Sequence, residues 1–326
     1  MKQKIAALKK RSSLIFLFLG LFILACLIYF MDTRIILESF ELVGAKIFLV
    51  FAIAPLWITC NTLCLSTLLK HQVPFPNLLY NQVTGDAYNV ITPFAGLGGE
   101  PYKVTHLTNW ISIDTASEGI LRDRLIHSLS GLMYTGIMTL VVVTFMPLEQ
   151  KLFYAFTGIG LLLTIFSALL SFLILSNVPN KFLGGMLKKL KLLENFHSNP
   201  LKRSTFLQAL FLKLLGRGLN LLEFITIFFL LGIQPAFLEI VTISAMLALS
   251  GTLLFIVPQG IGVNEAGISG AFKLVGRSAD LGLSVGLIRR ARVLFWAFLG
   301  VGLHLLVTLF RRLRRENKEL KMNKEE

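Results

Sequence analysis

Four runs of this chain are free of Asp, Glu, Lys and Arg over lengths that match a hydrocarbon core, at residues 13–31, 47–69, 125–147 and 152–175. Such a core is about 30 Å thick and takes roughly 20 residues to cross as helix. Weaker candidates follow at 214–232, 240–257 and 293–310. Inside lipid the backbone must satisfy its own hydrogen bonds, so apolar runs of this length are read as helices. The chain is 55% hydrophobic and only 15% charged, outside the balance of ordinary soluble domains. The expectation is an all-α polytopic membrane protein with 6–8 transmembrane helices, forming one membrane domain over residues 1–326. The first run is longer than a signal-peptide core, and residues 29–32 lack a small-residue cleavage pattern, so it reads as a retained helix.

The formal net charge of +14 suggests nucleic acid only until its placement is considered. Lys2, Lys4, Lys9, Lys10 and Arg11 precede the first run. Lys181, Lys188, Lys189, Lys191, Lys202 and Arg203 cluster around residues 177–200, and Arg311, Arg312, Arg314 and Arg315 follow the last run. Cationic loops stay on the cytoplasmic side. Both termini and the basic segment 177–200 are therefore expected to be cytoplasmic, in a multi-pass protein of the cell inner membrane. Residues 182–196 alternate lysine with leucine and read as an interfacial helix. Seven full crossings would separate the termini. Either one weak run stops short, or an eighth crossing lies in residues 266–288.

Two interruptions between the apolar runs are copies of one pattern. Pro93 and Glu100 recur 165 positions later as Pro258 and Glu265, with Gly98 and Gly99 in the first copy and Gly260 and Gly262 in the second. An arginine cluster follows each, Arg122 and Arg124 after the first, Arg289 and Arg292 after the second. Paired Gly/Pro breaks in the two halves of a membrane protein point to a transport site. We read two related halves, 1–176 and 201–326, each with a re-entrant Gly/Pro-rich break and arranged with inverted topology. Glycines let the backbone reverse, and a helix starting there aims its N-terminus at an anion. The arginines are suited to gripping phosphate oxygens, and Glu100 and Glu265 to meeting a cationic headgroup or exchanging a proton. Asn89 precedes the first break as a cap or a headgroup partner, and Lys103 and His106 stand at its mouth.

Further candidates are Glu223 with Asn220, deep in the fifth span, and His127, one turn from Asp123. Lys213 and Arg217 read as snorkelling side chains. Pro55 reads as a kink. Cys26, Cys60 and Cys64 lie in apolar runs without the His or Cys partners a metal needs, and there is no Walker or H-E-x-x-H pattern. No metal, cofactor or nucleic acid is expected.

The stretch from Asn89 to Lys103, the arginines after it and P-Q-G-I-G-V-N-E-A at Pro258 to Ala266 resemble a flippase-like membrane family. That family includes the transmembrane region of lysylphosphatidylglycerol synthase, the multiple peptide resistance factor. The resemblance covers roughly residues 13–310. It implies a membrane fold in which a modified phospholipid crosses between leaflets near re-entrant segments. In the bifunctional members an aminoacyl-transferase domain follows the membrane part. This chain, ending at Glu326, is expected to resemble stand-alone members, some of them associated with hopanoids or polyprenyl-linked sugars. The leading expectation is a flippase for a phosphate-bearing or aminoacylated lipid, transporter-like and not an enzyme. Its partners would be membrane lipids with anionic or zwitterionic headgroups, and a separate lipid-modifying enzyme. The alternatives are an intramembrane transferase acting on a lipid phosphate and a non-catalytic assembly partner.

Overall fold

The computed structural model of the protein describes residues 33–92, 98–175, 201–255 and 257–325, with Phe22 and Tyr29 of the first apolar run. Pro93, most of the first run, the basic segment 177–200 and the lysine-leucine stretch 182–196 lie outside the described residues. So do the side chains of Arg311, Arg312, Arg314 and Arg315. Among the described residues every element is helical and no strand occurs.

The helices are α1 (Thr33–Val43), α2 (Ile47–Leu68), α3 (Phe75–Ile91), α4 (Glu100–Leu107), α5 (Ile113–Phe145) and α6 (Gln150–Leu175). After the undescribed segment come α7 (Arg203–Leu230), α8 (Phe237–Leu253), α9 (Val263–Leu274) and α10 (Ala279–Glu325). Among the described residues, four helical stretches are long and apolar enough to cross a membrane: Arg34–Leu68, Ile113–Phe145, Gln150–Leu175 and Ala279–Phe310. Phe237–Leu253 is apolar but shorter. All but the last two residues of the expected run 214–232 fall within α7, which holds Lys213, Arg217 and Glu223 in its middle and is not one of the four. The eighth crossing expected over 266–288 is not a single helix. The chain leaves α9 at Leu274 and turns at Gly276 (φ +75°) before α10 begins.

Local chemistry sets these boundaries. Ser112 caps α5 by accepting the Thr115 amide at 3.3 Å, with Asp114 in the first turn where the helix dipole favours an acid. Ser278 accepts the Asp280 amide at 3.1 Å at the start of α10. Pro76 and Pro101 stand in the first turns of α3 and α4, where a missing amide hydrogen costs nothing. Shifting α3, α4 and α5 by the 165 residues that separate Glu100 from Glu265 lands them on α8, α9 and the apolar part of α10 to within about three residues.

In lipid, apolar surface gains little by leaving its surroundings, so close packing through small residues holds helices together. Gly136 on α5 approaches Gly160 and Thr164 on α6, and Gly300 on α10 sits against Ala87 and the Val83 carbonyl of α3. A phenylalanine layer, with Phe228 and Phe272 stacked at 5.6 Å and Phe224 buried beside them, joins α7 to α9. Helix α10 packs on α1, α2, α3 and α9 and so touches elements of both breaks.

Candidate functional site

The first break joins α3 to α4 through a close backbone approach. A Cβ on Gly99 would overlap the Gly85 carbonyl oxygen, and one on Gly98 the Thr92 side chain. Gly99 has an ordinary φ of −84°, so close contact, and not positive φ, requires glycine here. Asn89 fastens the break from both sides, its Oδ1 accepting the Gly99 amide at 2.7 Å and its Nδ2 donating to Glu100 Oε1 at 3.2 Å. Glu100 Oε1 also lies 3.0 Å from Arg124 Nε of α5 and 4.0 Å from Lys103 Nζ. Lys103 is buried and donates to Asp86 Oδ1 at 2.8 Å, while Gln82 holds Asp86 Oδ2 at 2.8 Å.

The second break uses the same ingredients with different backbone geometry. Gln259, Gly260 and Gly262 all have positive φ, at 54°, 57° and 75°. Glu265, 2% exposed, turns back to cap its own helix, Oε2 accepting the Gly262 amide at 2.8 Å. Its Oε1 receives Arg290 Nη2 at 2.7 Å and Arg290 Nε at 2.9 Å. Arg290 further reaches the Gln259 and Gly260 carbonyls at 3.2 and 3.4 Å. The two breaks meet directly: Gln259 Nε2 donates to the Asn89 carbonyl at 2.6 Å.

Between these elements lies a cavity of about 760 Å³. Four arginines line it, Arg217 from α7 and Arg289, Arg290 and Arg292 from α10. Arg289 and Arg292 share Glu223, at 2.9 and 2.8 Å, and that carboxylate is wholly buried. Their guanidiniums also lie over the rings of Phe224 and Trp57, at 4.4 and 4.6 Å. The lining is also hydroxylic, with Tyr134 bonded to Ser244 at 2.8 Å and Thr135 to Thr252 at 3.0 Å. Asn220, His127, Gln259, Asn264 and Glu265 complete the polar lining.

The structure sorts the expected residues into two groups. Glu265, Arg289, Arg292, Asn220 and His127 line the cavity; Glu223 stands behind its wall, and Pro258, Gly260 and Gly262 shape the adjoining turn. Asn89, Gly98, Gly99, Glu100, Lys103 and Arg124 form the neighbouring first break and are not part of this lining. Arg122 pairs with Glu118 on its own helix and is not among the cavity-lining residues. The expected snorkelling of Lys213 and Arg217 is corrected. Lys213 is 3% exposed and bonds Asp123 at 2.8 Å, because a buried ammonium needs a charge partner more than it needs the interface. That pairing takes Asp123 from His127, whose carbonyl and ring instead face Arg217 at 2.8 and 3.4 Å.

Arg290, Gln259 and Arg217 are the residues that sequence reasoning missed as site members. Arg290 was legible in principle, since it follows Glu265 at nearly the same spacing as Arg124 follows Glu100. No comparable signal marked Gln259.

Among known families, the one described as "Lysylphosphatidylglycerol synthase TM region" matches residues 17–302. Searches of curated proteins and of solved structures returned no match. The chain belongs to this family, as a multi-pass helical membrane protein related to lipid modification or transport.

Proposed function

We propose that the protein is a flippase that carries a phosphate-bearing lipid between leaflets, with the headgroup in the arginine-lined cavity and the tails in the bilayer. One observation carries this reading. Four arginines line the cavity, whereas among the described residues only two carboxylates, Glu223 and Glu265, pair with them. Ionisable groups are rare at membrane depth unless they serve a pathway, and the excess of guanidinium matches a phosphate diester. The cavity volume falls in the usual range for small-ligand sites, about 300–1,000 Å³. Repetition of α3–α4–α5 as α8–α9–α10 supports two related halves, 1–176 and 201–326, with the breaks as re-entrant segments that raise the crossings to 6–8. The basic ends and the segment 177–200 support a cytoplasmic position for both termini in the inner membrane. The lysines and arginines there also suit docking to a separate lipid-modifying enzyme or to anionic lipid.

Reconstitution tests the proposal. Vesicles containing the protein and a fluorescent phospholipid are expected to show faster leaflet exchange than protein-free vesicles. The R290Q variant is expected to slow that exchange. Exchange equal to the protein-free rate across a lipid panel would reject it, and a chemically altered lipid in the same vesicles would favour a transferase.

A further inference from the structure

We propose that Arg292 is a switch between the large cavity and the first break, exchanging Glu223 for Asp86 through a second, smaller pocket. The switch deepens the lipid-transport reading and rests on it for its consequence, since it moves one guanidinium out of the cavity wall and back.

The small pocket, about 130 Å³, lies between α2, α3 and α10. Arg292 lines it as well as the large cavity, so this side chain stands where the two meet. Asp86 of α3 lines the small pocket and not the large one. Trp57 and Trp296 supply aromatic walls, and Ala87 and Ala297 leave space between them. One wall is pinned. Pro55 leaves the Phe51 carbonyl without its helical donor, and the Trp296 indole N–H supplies one at 3.0 Å. The Arg292 guanidinium lies 4.6 Å from the Trp57 ring centre, over a flat face on which it can turn without losing its stacking.

Exchanging ion pairs inside a membrane is prohibitive when a charge is left alone, and in this exchange none is. Glu223 holds Arg289 at 2.9 Å as well as Arg292 at 2.8 Å, so it keeps a partner when Arg292 leaves. Asp86 bonds Lys103 through Oδ1 and Gln82 through Oδ2, each at 2.8 Å. A carboxylate has about four acceptor positions, and the Asp86 side chain is still 46% exposed, against 0% for Glu223. Lys103 has a second acid in Glu100, 4.0 Å away, which Arg124 also holds at 3.0 Å. When Arg292 takes Asp86, Lys103 can close onto Glu100, and every charge again faces an opposite one. The first arrangement is the one described above. The second draws a positive charge from the large cavity towards the first break, so the two breaks sense each other through one side chain.

Side-chain nitrogen NMR of the full chain in detergent reads which acid Arg292 meets, its Nε resonance being assigned by its loss in R292K. E223Q is expected to move that resonance to a new position, and E223Q/D86N to move it again. An identical Arg292 resonance in E223Q and E223Q/D86N overturns the proposal. A297L tests the swing without altering a charge or depending on the folding of E223Q, because leucine fills the pocket. It is expected to melt close to wild type and to slow leaflet exchange at least about fivefold, the low end for coupling between two states. D86N is expected to slow exchange similarly, and D86E to retain part of it. Wild-type exchange in a folded A297L or D86N overturns the switch; a merely structural Asp86 would lower the melting temperature of D86N and leave exchange in A297L untouched. An Arg292 that answers both acids in a protein without leaflet exchange would defeat the transport reading alone. Leaflet exchange with an Arg292 indifferent to Asp86 would defeat this one alone.

Discussion

Gln259 Nε2 donates to the Asn89 carbonyl at 2.6 Å, across 170 residues of sequence. Gln259 has a φ of 54°, a left-handed conformation that costs a residue with a side chain about 1–2 kcal/mol. Asn89 spends its own side chain on Gly99 and Glu100. Strain in one break is thus retained by a bond to the other.

The two parts of that relationship separate by substitution. Q259A keeps the strained backbone and loses the bond, so its melting temperature in detergent should fall, by the equivalent of about 1 kcal/mol. Q259G loses the bond but relaxes the backbone, and it should melt close to wild type. A Q259G as unstable as Q259A would mean that the left-handed turn carries no strain.

The three glutamates should rank by burial. Replacing Glu223 with Gln leaves Arg289 and Arg292 without a shared counter-charge, and breaking a buried pair costs about 3–5 kcal/mol. Thermal melts should place E223Q lowest and E265Q next. E100Q should change least, since the Glu100 side chain is 15% exposed and its partner Arg124 is 29% exposed. The opposite order would show that the Glu223 clamp contributes little to the fold.

Glycine contacts predict a contrast between two alanine variants. G99A drives a methyl group into the Gly85 carbonyl and should destabilise by about 1–3 kcal/mol or prevent accumulation. G158A meets open space inside α6 and should be neutral or gain about 0.5–1 kcal/mol from helix propensity. Expression yield and melting in detergent check both.

The buried pair Lys213–Asp123 offers a cleaner electrostatic test. K213M and D123N each leave one charge stranded and should each lose stability, whereas the double variant should recover much of the loss. A strictly additive double variant would show that the two side chains do not depend on each other.

Helical membrane character was legible because lipid demands long uncharged runs, and four of them fall within helices long enough to span. The pairing of the two breaks was legible because proline and glutamate keep their spacing across 165 residues, with glycines between them in both copies. Which arginine meets which acid was not. Arg289 and Arg292, three apart on a helix, share a face and turn together to Glu223; Arg290, about 100° around, turns to Glu265. Spacing gives that angular relation but not which neighbour stands on each side. Likewise Lys213 and Arg217 share a face four residues apart. Only the packing of α7 on α5 decides that one finds Asp123 and the other lines the cavity.

Helix α10 carries Arg289, Arg290 and Arg292 along one stretch, and a few turns later sets His304 against Tyr80 and Tyr102 at 3.0 and 3.2 Å. It is a single uninterrupted rod gripping α3 and α4 at one level and the guanidinium cluster at another. Leverage follows from that: a tilt of this one rod would shift the tyrosine contacts and the arginines together, with no intervening joint.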